Sequence, residues 1–182
     1  MSLEPSNSPV VQQLQLLLTG YGYNFYSSVN KARSDDLLVR ERASYYLAQA
    51  VNMLANLRGA YQRRFIPPLT RANPDPPQEA MAQVRELEEV QQELANIETY
   101  IRGMPVPTQD RIWWRFRQEQ VLLAQLLDSD LSLVLVSEQI HQQVSQFTPD
   151  AWNNQGSSPL RQLIQRVNQV AHERERFLLL PM

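Results

Sequence analysis

The sequence predicts an all-α fold, an antiparallel bundle of about six helices in a single domain spanning 1–182. Three observations predict it. Apolar residues recur at three- and four-residue spacing through most of the chain, helix-start signals precede those stretches, and no pair of alternating runs offers a sheet.

The start signal is a capping side chain followed at once by proline, at Ser8-Pro9, Asp75-Pro76, Thr148-Pro149 and Ser158-Pro159. The cap oxygen accepts an orphan backbone N–H, and proline in the first helical position gives up an N–H that had no partner. At Asp75 the residue three on is Gln78, which completes a capping box. Ser34-Asp35-Asp36 and Thr108-Gln109-Asp110 add two starts with acid at the positive end of the helix dipole.

Taken in order, a helix from Pro9 carries Val10, Leu14, Leu17, Leu18, Tyr21, Phe25 and Val29 as one stripe, weakened at Gly20-Tyr21-Gly22. A second, 35–65, is the long strut, with Leu47, Ala50, Val51, Leu54, Leu57, Tyr61 and Phe65 on one side. It stops at Pro67-Pro68, because proline disfavours helical geometry in the residue before it. The stretch 67–77 holds five of the twelve prolines and reads as an extended connector.

The third helix, 76–102, places Leu87, Val90, Leu94, Ile97 and Ile101 at 3-4-3-4 spacing, the seam of bundle packing. Gly103 stands where a left-handed cap would fall, ahead of Pro105 and Pro107. Helices over 109–127 and 131–147 follow, the alternation in 131–136 being read as helix because Val136, Ile140, Val144 and Phe147 continue the helical spacing. After a short turn at 149–153, the last helix buries Leu160, Leu163, Ile164, Val167, Val170 and Ala171. The charged run His172-Glu173-Arg174-Glu175-Arg176 and the apolar tail Phe177-Leu178-Leu179-Leu180 end the chain, the tail docking back on its own bundle.

Composition narrows the functions. There is no cysteine, which removes disulfide, zinc-thiolate and thiol-nucleophile chemistry and fits a cytoplasmic location. The opening residues carry no basic leader, and no stretch approaches the ~18 apolar residues of a membrane span. A net charge of -2 is a poor footprint for nucleic acid. Sixteen arginines stand against one lysine, Lys31, a balance that suits ion-pair networks and interfaces although codon usage alone produces such a skew.

Catalytic patterns are missing. Glu138-Gln139-Ile140-His141 matches half of a di-iron bundle motif, but His172 has Gln169 three positions earlier, so the second half is absent. The pair is expected on an ordinary helix surface, with no metal and no cofactor bound. No nucleophile elbow and no phosphate loop occur, and Glu88-Glu89 reads as a solvated face. The expectation is a protein that is not an enzyme.

The most unusual run is Arg111-Ile112-Trp113-Trp114-Arg115-Phe116-Arg117. At ~100° per residue, Ile112, Phe116, Leu123, Leu126 and Leu127 form the core face, with Trp113 flanking it. Trp114 lands nearly opposite, with Val121 on the same outer line, where either a second layer of the same chain or a partner would cover them. Trp and Arg are favoured anchors of protein interfaces. Arg111, Trp113, Trp114, Arg115, Arg117 and Val121 are therefore the candidate protein-binding residues of an adaptor, assembly factor or regulatory subunit that meets a protein partner or a second copy of itself. The alternative is a regulatory small-molecule domain with a pocket between helices lined by Tyr21, Tyr23, Phe25, Tyr45, Tyr46 and Tyr61.

Overall fold

A computed structural model describes residues 29–68, 70–71, 75–104 and 110–179. The helix expected from Pro9 lies outside the described residues, as do Ser8-Pro9 and the last residues of the tail. The described residues form helices α1 (Val29–Phe65), α2 (Gln78–Gly103), α3 (Asp110–Gln118), α4 (Gln120–Ser145), α5 (Pro149–Gln155) and α6 (Ser158–Leu179), with no strand among them. The alternating stretch 131–136 is helical, inside α4.

Four long helices make the bundle, and their side-chain partners give its topology. Arg58 meets Glu88, Ser44 meets Glu98 and Arg40 meets the carbonyl of Met104, so α2 runs antiparallel to α1. The ring of Tyr46 lies 5.7 Å from that of His141, and Asp36 shares Arg174 with Asp130, so α4 runs parallel to α1. Glu86 bonds Ser157 while Tyr100 bonds Glu175, so α6 runs parallel to α2. Consecutive long helices are antiparallel, as a bundle with short links requires, and the two hairpins lie side by side. This order puts the end of α2 diagonally across from the start of α4. Helix α3 spans that diagonal at the base, and α5 closes the opposite end, where Tyr61 donates to Asn153 (2.7 Å) and Arg64 pairs with Asp150 (2.8 Å).

The seams are those the spacing predicts. Val84, Leu87, Val90, Leu94, Ile97 and Ile101 are buried on α2, and Leu160, Ile164, Val167 and Ala171 on α6. Burying each such aliphatic side chain contributes about 1.5–3 kcal/mol.

The helix ends match expectation at Thr148 and differ from it at Asp75, Gly103 and Ser158. Thr148 caps α5, its hydroxyl oxygen accepting from the Ala151 N–H at 3.2 Å, and Gly156 at φ 65 ends that helix. At Asp75, in contrast, no capping box forms. Helix α2 starts at Gln78, so the cap position falls on Pro77 (φ -57, ψ 122), which has no side-chain oxygen to accept an N–H. Gly103 is not left-handed. It is the last residue of α2, and Met104, ahead of Pro105, turns extended at φ -55, ψ 132. Ser157, rather than Ser158, precedes the first turn of α6, its hydroxyl engaged by Glu86 and Arg161.

Two internal boundaries move. Ser34-Asp35-Asp36, read as a helix start, lies inside α1. The expected break at 128–130 is absent, and the chain departs from helix at Glu119 instead (φ -100, ψ 89). Backbone bonds from Glu119 N to Arg115 O (2.9 Å) and from Leu123 N to Glu119 O (3.0 Å) still carry the ladder across.

Candidate functional site

Helix α3 sits on a small apolar cluster of its own. Trp113 and Phe116 point inward with ring centroids 6.3 Å apart and pack with Ala32 of α1, Leu126 of α4 and Leu178 of α6. Ile112, Leu122, Leu123, Leu127 and Phe177 pack around them. The docking expected of the apolar tail is thus made by Leu178, whereas Leu179 is 60% exposed.

The run that singled out α3 divides in two. Trp114 is 59% exposed and Val121 is 72% exposed. Trp113 is 0% exposed, which takes it out of any surface open to a partner. The reason is phase: the core face of this short helix is wider than the stripe drawn from Ile112 and Phe116, and Trp113 falls inside it. Arg115 is half-buried, its Nε donating to Glu119 at 3.0 Å across one turn. The side chains of Arg111 and Arg117 lie outside the described residues. Trp114 and Val121 do not share one helix, since the chain passes from α3 to α4 at Glu119.

Immediately inside the small cluster lies a layer of buried charge. Arg174 of α6 is 0% exposed, donating from Nε to Asp130 of α4 (2.5 Å) and from Nη2 to Asp36 of α1 (2.7 Å). Asp36 is in turn paired with Arg40 (2.9 Å), whose other nitrogen donates to the carbonyls of Met104 and Arg102. A guanidinium holds two carboxylates on two helices through separate nitrogens of one planar fork, which an ammonium does not do. In the sequence Arg174 belongs to the charged run 172–176, Asp36 to an expected helix start, and Asp130 to the expected gap between two helices. Helical spacing held the signal: Arg174 continues Ile164, Val167 and Ala171 towards Leu178, and Asp130 falls at seam spacing between Leu126 and Ser137.

The aromatic pocket is not assembled by its described members. Tyr46 and Tyr61 are buried in the core, and Tyr61 sits at the α5 end, whereas Tyr45 is exposed. Tyr21, Tyr23 and Phe25 lie outside the described residues. A groove of about 540 Å³ runs along the outer face of α1, lined by Leu37, Tyr45 and Ala48 with Arg40, Ser44 and Arg102.

Glu138 is buried rather than a surface residue, and His141 faces Tyr46. Among the described residues no group of three or more His, Asp or Glu side chains is placed to hold a metal. His172 stacks on Tyr100 at 4.7 Å. Burial, then the hydrogen bond and charge of Glu175, push the Tyr100 hydroxyl up to about 12, and burial with the charge of Glu79 raises that of Tyr61. No helix among the described residues is long and apolar enough to cross a membrane. Searches against protein-family models, curated proteins and solved structures return no match, so the residues themselves carry the functional reading.

Proposed function

We propose that this chain is a non-enzymatic, cytoplasmic interaction module, an adaptor, assembly factor or regulatory subunit, that binds another protein or a second copy of itself through the base of the bundle. The observation that supports this is Trp114. Its neighbours Trp113 and Phe116 lock α3 onto the bundle, so the indole is presented on a fixed helix with most of its surface in water. A large aromatic held this way loses little side-chain freedom on binding, and such residues dominate interface energies.

Thermal melts and binding assays of Trp114→Ala test it. Truncating an exposed anchor leaves stability within ~0.5 kcal/mol and removes ~2 kcal/mol or more of binding, about 30-fold in Kd. The expected result is an unchanged melting curve with loss either of a protein that the wild type retains or of self-association in sedimentation. Equal binding by both proteins would reject the reading.

The groove on α1 favours a second reading, a small-molecule regulatory domain, because its volume lies in the range of ligand sites and Leu37, Tyr45 and Ala48 give it an apolar wall. Native mass spectrometry of the protein purified from its own cells separates the two. A bound molecule, lost on Tyr45→Ala, supports the groove.

A further inference from the structure

We infer that the buried charge layer is a fracture plane, and that the base of the bundle opens as a unit while the main core stays folded. The layer crosses three helices at one level. Asp36 lies between Ala32 and Val39 on α1, Asp130 between Leu126 and Leu133 on α4, and Arg174 between Ala171 and Leu178 on α6. On each helix the first-named or last-named residue on the base side belongs to the small cluster with Trp113 and Phe116, and the residue on the other side belongs to the main core. The two clusters share no member.

A layer of this kind joins its neighbours weakly. Withdrawing the carboxylates and guanidinium groups from water offsets most of their mutual attraction, whereas an apolar layer of the same size adds cohesion throughout its area. Among the described residues five buried side chains hold the base together, against a main core that runs from Val39 to Tyr61 on α1, from Leu131 to Val144 on α4 and from Leu160 to Ala171 on α6. Openings follow boundaries where buried apolar contact is scarce. The opening unit is residues 29–35, 110–129 and 175–179. Opening it bares Trp113 and Phe116 beside Trp114, which is exposed already.

Native-state hydrogen exchange of the full chain, read by mass spectrometry through sub-denaturing urea, tests this. Amides of α3, 120–127 and 175–179 are expected to exchange ~100-fold or more faster than those of 133–144 and 87–101, and to share one urea dependence. Fraying of separate helix ends gives graded rates with no urea dependence. That result, or one common rate for base and core, overturns the inference. The charge-neutral double variant Asp130→Leu/Arg174→Met leaves Asp36 with Arg40 and makes the junction apolar. Its base is expected to exchange within ~10-fold of the core. A base that still opens as freely as in the wild type shows that the charge layer is not the plane. If the double variant does not fold, the wild-type urea series decides by itself.

Discussion

The bundle is closed at each end by a short helix that inserts one tryptophan, and the two closures are built differently. At the α5 end Trp152 is fully buried, meets Phe147 edge to face at 5.3 Å, and belongs to the main core. At the α3 end Trp113 is as deeply buried, but its cluster is cut off from that core by Asp36, Asp130 and Arg174. The same side chain in the same kind of plug is therefore continuous with the fold in one case and partitioned from it in the other. Exposure follows the difference: α5 shows no large apolar side chain to solvent, while Trp114, Val121 and Leu179 are exposed at the base.

The sharpest way to break this comparison is to truncate both tryptophans. Trp152→Ala should destabilise the whole molecule by ~3–5 kcal/mol through lost burial and a cavity, lowering Tm by roughly 10 °C in a single calorimetric transition. Trp113→Ala should lower the main transition by less than ~2 kcal/mol, its damage being confined to the base and visible as faster exchange there. Equal effects of the two variants on global unfolding would show the ends to be equivalent.

A smaller effect tests the cap of the α5 end. Thr148→Ala should cost about 1 kcal/mol, since the Ala151 N–H loses its acceptor. Urea midpoints of the variant and wild type measure it.

The smallest effect is alkaline. Tyr61 and Tyr100 both bind their protons more tightly folded than unfolded, so each contributes stability that is complete below pH 10 and is lost as pH rises towards the folded value, about 12 for Tyr100. Tyr61 donates to a neutral amide and Tyr100 to the carboxylate of Glu175. Tyr100→Phe should therefore flatten the loss of stability between pH 10 and 12 more than Tyr61→Phe does. Chemical denaturation at a series of alkaline pH values gives both slopes.

How far the sequence could be read depended on whether local chemistry and tertiary role agreed. Leu87 to Ile101 are apolar at seam positions, so period and burial coincide and α2 was plain. Thr148-Pro149 is a cap both by residue type and in the fold. Where a charged residue occupies a seam position, the two signals conflict. Asp36 and Asp130 look like helix boundaries, and Arg174 looks like surface, because the partners that neutralise them lie on other helices. Capping rules see only a few neighbouring residues, so a pairing between helices is invisible to them. Phase sets Trp114 opposite the core stripe but does not say whether a second layer of the chain covers it, and the burial of Trp113 depends on how far α1, α4 and α6 wrap around a short helix.

The parallel pairing of α1 with α4 bears on how the chain matures during synthesis. Asp36 is made before its partner Arg174, which lies 138 residues further on. Until α4 has left the ribosome one face of the α1–α2 hairpin is uncovered, and until α6 follows, Asp36 has Arg40 beside it but not Arg174. Contacts this distant along the chain slow folding, because a long loop must close before they form. The nascent hairpin thus holds an acid with one of its two arginines missing, and that charge on an otherwise apolar face works against premature association with other chains.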